Sequence, residues 1–400
     1  MYQIDETNFS EKYILLIPSM LDAHFPLLKY AFYSKDYHPV ILDNEDNIQN
    51  IGLKYVNHDM CYPAILNVGQ IVGALQSGKY DLTRTALLMP QAGDACRGSN
   101  YISVLRRGVK NAGFHVPTLS LNALGLEKES QLKLRPDMVW RAFISVVYGD
   151  LLMILKNQIK PYEKKPGTVQ KMEKRWLRIL SNELKSGKNM GLLSLKRRMK
   201  QIVHEYRQIP KQKRNCKKVG IVGELYVKYC HLGNRNLLPF LEEEGCEYYV
   251  NGLLWYVLYY IDTHFEKENF FMQKAYKTGF RLIANIQKSM ITILRENGFY
   301  VMDEFLKFKK QASDYVNFNC SVGDGWLIGA EVVAHTKGGY NRILGVQPFG
   351  CMPNQISGRG LYPTLNRKLL HTRLSSIDFD PGASELNIKN RIKMVLDIPL

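Results

Sequence analysis

Short apolar runs alternate with helical periodicity twice along this chain, and that alternation narrows the fold class more than any other feature. Tyr13 to Ile17 reads as a strand ending at Pro18, and Leu27 to Phe32 as part of the helix after it. Val40 to Leu42 is a second short strand, with Asp43, Asn44 and Asp46 as its polar turn. Ile65, Val68, Ile71, Val72 and Leu75 then recur at helical spacing, with Gly78 near the stop. Ala86 to Met89 is a strand delivered into Pro90, followed by a helix between Tyr101 and Asn111 and a further strand at Thr118 to Leu121. The pattern restarts at Val219 to Glu224 and continues through a helical stretch near Leu237 to Glu243. Strands follow at Ile343 to Val346 and Ile377 to Asp380. Ser384 then stands as the cap of a helix containing Ile388, Ile392 and Val395. The run Trp255 to Tyr260 is a buried strand or a buried helix, and periodicity leaves both open. Strands alternating with helices imply α/β lobes.

Between the two alternating segments the pattern changes. From Pro136 to Lys218 the stretches are long and helical, and Met172, Trp176, Leu180 and Leu184 lie four apart on one face, with Lys171, Lys174, Arg175, Arg178 and Lys185 extending the polar surface. The expected organisation is a first α/β lobe over 1–125, a helical basic insertion over 126–218, and a second α/β lobe with a C-terminal helix over 219–400. Residues 156–218 carry 20 Lys/Arg against four Asp/Glu, which accounts for nearly all of the net charge of +17. A solvated face is the plain explanation; such a stretch can also steer an acidic protein, approach nucleic acid or hold a phosphate-rich cofactor. No nucleic-acid recognition motif and no aromatic interleaving accompany it, so nucleic acid is not the expected partner. The apolar runs Tyr13–Ile17 and Leu253–Ile261 are short for membrane spans, and the polar, acidic start does not read as a secretory leader, so the expected location is cytoplasmic. No feature decides the oligomeric state.

Seven cysteines in such a chain do not suggest a disulfide scaffold. Four of them, Cys61, Cys96, Cys320 and Cys351, have turn-forming residues nearby, and an α/β fold can gather such loops in a crevice beyond its strand ends. These four are the candidate ligands of an iron–sulfur site between the lobes, since four thiolates complete the coordination of a [4Fe–4S] cluster. They lack a local CxxC cluster, so buried unligated thiols and a structural zinc site stay open at this point. His58 and Asp59 can shape the surroundings of a cluster or relay protons, against ordinary turn hydrogen bonding. Arg97 can stabilise a reduced cluster or an anionic substrate, against a surface salt bridge. Asp324 and Trp326 can define a cleft near Cys320, against a tight turn and core packing. Cys216, Cys230 and Cys246 read as ordinary thiols ahead of a second metal site. Gly220-Ile221-Val222-Gly223 lacks the full GxGxxG fingerprint and no Walker A sequence occurs, so direct ATP hydrolysis is not expected. Gly338-Gly339 beside Lys337 reads as a helix-ending turn.

Several ordered motifs carry a resemblance. Tyr55-Val56-Asn57-His58-Asp59-Met60-Cys61-Tyr62-Pro63, Gly93-Asp94-Ala95-Cys96-Arg97-Gly98-Ser99-Asn100-Tyr101, Val219-Gly220-Ile221-Val222-Gly223-Glu224, Gly323-Asp324-Gly325-Trp326, Val346-Gln347-Pro348-Phe349-Gly350-Cys351-Met352-Pro353-Asn354 and Ile377-Asp378-Phe379-Asp380-Pro381-Gly382-Ala383-Ser384-Glu385 resemble the 2-hydroxyacyl-CoA dehydratase-related module. That module also occurs as the C-terminal part of acyl-CoA dehydratase activase-related proteins. The resemblance runs from the first strand almost to the C-terminus and is least diagnostic in the basic middle. It implies two Rossmann-like lobes around an iron–sulfur cofactor, either a [4Fe–4S] cluster or a larger double-cubane cluster. Cys61, Cys96 and Cys351 occupy the family-like motif positions, with Cys320 as the fourth ligand. It also implies a separate activating ATPase that injects a low-potential electron, because this chain lacks the activase's nucleotide-binding half. Substrate reduction, or radical dehydration of a 2-hydroxyacyl-CoA through a ketyl radical, would follow. The alternative is a noncatalytic iron–sulfur electron-transfer or assembly subunit.

Overall fold

Two four-stranded, wholly parallel sheets repeat one strand order. In the computed structural model, which describes residues 13–34, 36–91, 94–122, 135–264 and 270–398, the first sheet contains β1 (Tyr13–Ile17), β2 (Tyr37–Ile41), β3 (Thr85–Gln91) and β4 (Thr118–Asn122), in the order β2-β1-β3-β4. The second contains β5 (Lys217–Gly223), β6 (Cys246–Val250), β7 (Arg342–Pro348) and β8 (Arg373–Phe379), in the order β6-β5-β7-β8. The architecture is therefore mixed α/β with two sheets and flanking helices. The central strands are apolar throughout: Leu15, Leu16 and Leu87 in one sheet, and Ile221, Val222, Ile343 and Leu344 in the other, are fully buried. Parallel sheets covered by helices on both faces require such runs. In each sheet the first strand takes its successor on one side and the third strand on the other. Chain segments leaving β1 and β3, and again β5 and β7, part in opposite directions and open a crevice beyond the strand ends. The boundary expected near residue 125 lies outside the described residues.

The helix Pro136–Ile159 stands between the sheets. Proline opens its first turn, where a missing N–H costs no intrahelical bond, and it is buried along most of its length, from Ile144 to Ile159. By length and composition the segment Pro136–Tyr162 could cross a membrane, yet most of its apolar window lies inside the protein as a core helix. The sequence reading weighed only shorter runs and passed over this one. Asp150 on this helix is fully buried and joins the two halves: one carboxylate oxygen meets His24 Nε2 at 2.8 Å, and the pair accepts the N–H groups of Leu253 and Leu254 at 2.6 and 2.9 Å. Those two amides open the helix Leu253–His264, so the ambiguous aromatic run is helical, its free N–H groups met by a carboxylate from another element.

Two basic helices, Thr168–Ser186 and Leu192–Arg207, cover the outer side. Trp176, Leu180 and Leu184 are buried as their spacing predicts. All four acids of the basic interval are engaged. Glu163 accepts the N–H groups of Gly167 and Val169, while Glu173, Glu183 and Glu205 pair with Lys156, Arg198 and Arg175. Ser384 precedes the helix Glu385–Asp397 but its side chain makes no capping bond, and Gly338 and Gly339 do end the helix Gly325–Lys337.

Candidate metal centre

Three of the four candidate cysteines stand at strand or helix ends that face one another. Cys96 follows β3 and Cys351 follows β7, the corresponding strands of the two sheets. Cys61 occupies the residue before the helix Tyr62–Gln76, whose first turn takes Pro63. All three are half-buried. Each sulfur has one neighbouring donor. Cys61 Sγ lies 3.3 Å from the Tyr101 hydroxyl, Cys96 Sγ accepts from Gly98 N at 3.4 Å, and Cys351 Sγ accepts from Asn354 Nδ2 at 3.4 Å.

Their protonation shows how closely they share a site. Burial pushes the Cys61 thiol up to about 12, the Glu224 carboxylate adds to that rise, the Tyr101 hydroxyl opposes it, and Cys96 raises it further. Cys96 is raised by burial against the Gly98 N–H, with Glu224 again acting upward. Cys351 is raised by burial, then Glu224, and also by Cys61. One carboxylate thus acts on all three thiols. Glu224 follows β5 directly, through a turn that needs glycine: Gly223 has φ +124°, and a Cβ there would meet Val346 O at 2.0 Å. Burial raises Glu224 as well, against hydrogen bonds from Val227 and Tyr226 N–H and the charge of Lys228.

Asp324 completes the ring. It precedes the helix Gly325–Lys337 as Cys61 precedes Tyr62–Gln76, so the two residues hold corresponding places in the two halves. Asp324 is buried, and its carboxyl is raised by burial and by Glu224. The Asn354 amide that reaches Cys351 also donates to Asp324 Oδ2, at 3.4 Å. Behind it Lys228 and Glu331, each 2% exposed, form an ion pair at 3.0 Å.

The loops are tied to each other across the crevice. Arg97 Nη1 donates to Asp59 O at 2.5 Å, linking the Cys96 and Cys61 loops, and Asp94 Oδ2 accepts Gly323 N at 2.6 Å, linking the Cys96 loop to the turn before Asp324. Cys320 lies on that turn, where its carbonyl accepts Trp326 N at 2.7 Å and it stands near Tyr259. From this loop, the Asp324 carboxylate acts on both Cys96 and Cys351. His58 is exposed, Asp59 contributes its backbone in an Asn57-closed turn, and Arg97 spends its guanidinium on that same backbone. Trp326 is buried in an aromatic group with Tyr259, Phe305 and Phe318. Glu224, Asn354, Tyr101 and Asp94 lie within the motif stretches, but nothing about a carboxylate, amide or phenol singled them out there.

A second set of potential ligands lies elsewhere. Asp22, Cys230 and His231 bring three ligand atoms within 4.8 Å of one another, a group that could hold a metal ion. Cys230 is thereby parted from Cys216 and Cys246, which adjoin each other at the opposite end of the second sheet, so those three cysteines do not form one site. Parallel strands place residues before β5 and after β5 at opposite edges.

No model of a known protein family matches this sequence, and no curated protein matches it either.

Proposed function

We propose that this chain carries an iron–sulfur cluster on Cys61, Cys96 and Cys351, and that it accepts low-potential electrons from a separate activating ATPase. The observation that carries the reading is the convergence of three thiols from loops of both sheets around one half-buried carboxylate, Glu224. The donor set fits the group. Burial penalises each free thiolate, whereas a metal-bound thiol is held deprotonated. One hydrogen-bond donor beside each sulfur is the arrangement that tunes cluster potential. A single ion would hold its sulfurs within roughly 4.6 Å of each other, twice a zinc–sulfur bond. Among the described residues Asp22, Cys230 and His231 are the one group of three potential ligands whose atoms all lie within 4.8 Å of one another, and that the three thiols do not form such a group favours a cluster over a single ion there. When bound, the cluster would supply one-electron chemistry; the chain's own residues hold it, shield it and set its charge surroundings.

The motif resemblance extends this to substrate reduction or radical dehydration of a 2-hydroxyacyl-CoA, in the cytoplasm, with two Rossmann-like lobes around the cofactor. The fourth side falls to Asp324 or Glu224 ahead of the Cys320 thiol that the motifs offer, because both carboxylates act on Cys96 and Cys351. The second reading, an electron-transfer or assembly subunit, draws on the rim: Phe349, Met352 and Ile356 beside Cys351 are exposed, as a protein-docking edge would be.

Anaerobic purification followed by iron and sulfide quantification and redox-poised EPR tests the proposal. About four irons per chain are expected for a [4Fe–4S] cluster, and about eight for a double cubane. Serine at Cys61, Cys96 or Cys351 should remove the signal, while Cys320→Ser should keep it. A wild-type protein without iron, under conditions that preserve such clusters, would sink the reading. Acyl-CoA binding by the iron-loaded protein separates the dehydratase role from the electron-transfer role.

A further inference from the structure

Asp22, Cys230 and His231 meet where the two halves of the molecule touch. Asp22 lies in the loop after β1, and Cys230-His231 follow the short helix Leu225–Tyr229 beyond β5. The backbone fixes this meeting, since Asp22 N donates to Tyr229 O at 3.2 Å and His231 N donates to Asp22 Oδ2 at 2.7 Å. Asp22 Oδ2 also stands 2.9 Å from His231 Nδ1, and buried Cys230 turns its sulfur toward Ser19 O at 3.5 Å in the same loop.

A further carboxylate holds the other side of the imidazole. Glu45, from the stretch after β2, has Oε1 2.9 Å from His231 Nε2. Metal-ligating imidazoles usually rest one ring nitrogen on a carboxylate and turn the other to the ion. Here His231 Nε2 rests on Glu45, and Nδ1, which lies 2.9 Å from Asp22 Oδ2, is the nitrogen an ion between them would take. An imidazolium held between two carboxylates would account for Asp22 and Glu45, but not for the thiol set against them. A cleft of about 550 Å³, lined in part by Glu45 and His231, opens beside the group and gives an ion a route from solvent.

We infer that Asp22, Cys230 and His231 bind one Zn²⁺ ion, with Glu45 orienting His231 and the fourth position facing the cleft. One oxygen, one nitrogen and one sulfur suit a borderline-soft, tetrahedral divalent ion better than a hard or a soft one. Two ligands come from one half of the molecule and one from the other, so the ion would clamp the two halves at the same edge that carries the cysteine loops. This site shares no residue with the three-thiol centre and does not depend on it.

The test is anaerobic titration of the metal-free full chain with Co²⁺, a spectroscopic stand-in, followed by Zn²⁺. The expected result is one bound Co²⁺ with a thiolate-to-cobalt charge-transfer absorption that Zn²⁺ abolishes. Cys230→Ser should lose the band, and the combined Cys61→Ser, Cys96→Ser and Cys351→Ser variant should keep it. Glu45→Gln, which changes an exposed partner and spares the fold, should weaken binding about 10–100-fold. Absence of the band in wild type, its persistence in Cys230→Ser, or unchanged affinity in Glu45→Gln would each overturn the assignment. Circular dichroism of Cys230→Ser separates loss of the ligand from loss of the fold. Should that variant unfold, Asp22→Asn replaces it, with at least a tenfold loss of affinity expected.

Discussion

Glu224 owes its place to the residue before it. Gly223 brings β5 against Val346, and Glu224 N then donates to Val346 O at 3.0 Å, which aims the side chain where all three thiols feel its charge. In the metal-free protein, Glu224→Gln removes a negative charge that raises the thiols. Their pKa values should fall, while burial keeps them above an ordinary cysteine. At fixed alkaline pH, iodoacetamide should then label Cys61 and Cys351 faster, because a larger fraction of each is thiolate. Peptide-resolved labelling checks it, and unchanged rates would show that Glu224 does not face the sulfurs. Cys61, Cys96 and Cys351 stood out in the sequence because cysteine is rare and chemically singular. Glu224 did not, since what distinguishes it is its place beside thiols more than a hundred residues away, a property of the assembled crevice, and Asp324 was marked only as the edge of a cleft near Cys320. Cys320 drew attention by its type and by the turn Gly323-Asp324-Gly325-Trp326 beside it, and in the structure Asp324, four positions on, holds the place before its helix that matches Cys61.

At the scale of elements, the strands were legible where they are buried on both faces and the helices where only one face is. β1, β3, β5 and β7 appear as continuous apolar runs, and Trp176, Leu180 and Leu184 appear as a stripe. β6 escaped notice because Cys246, Glu247, Tyr248, Tyr249 and Val250 mix polar and aromatic residues, and its Glu247 is made tolerable by hydroxyls from Tyr162 and Tyr340. The helix Gly325–Lys337 illustrates what packing adds to pattern. Its His335 ring presses on β5 so closely that a Cβ on Gly220 would lie 2.7 Å from it, and it meets Tyr249 edge to face at 5.6 Å between ring centroids. Burial first, and then the Lys228 charge, depress His335 to about 3. The folded protein therefore leaves this ring neutral where the unfolded chain, with an ordinary histidine near 6.5, takes up a proton. Stability from this group is complete above pH 6.5 and drains away as pH falls toward 3, amounting to a loss of about 3 kcal/mol by pH 4. His335→Gln should flatten the decline between those limits. Urea denaturation of both proteins at pH 7 and pH 4 measures the difference, and equal pH slopes would refute the account.

On the scale of the whole molecule, the two sheets share one apolar core with the helices between them, so they are expected to gain and lose structure together. The sequence pointed to two alternating segments but not to this union. Its signal is the helix Pro136–Ile159, whose apolar residues surround it because it is enclosed on all sides, and enclosure erases the periodicity by which a surface helix is recognised. Asp150 gives the union a polar centre. Its carboxylate joins His24, in the loop after β1, to the first amides of Leu253–His264, with every partner buried and a Cβ on Gly149 or Gly252 leaving no room for His24 or Asp150. Asp150→Ala strands His24 and two helix N–H groups without an acceptor in a site that water does not fill freely. Each buried orphan costs about 1–3 kcal/mol and removing one partner of a buried pair about 3–5 kcal/mol, so a loss of at least about 3 kcal/mol is expected for the set. Since the junction touches both halves, amide hydrogen exchange should accelerate in β1 and β3 and in β5 and β7 alike. Acceleration confined to Leu253–His264 would mean that the two sheets hold independently and that Asp150 is only a helix cap.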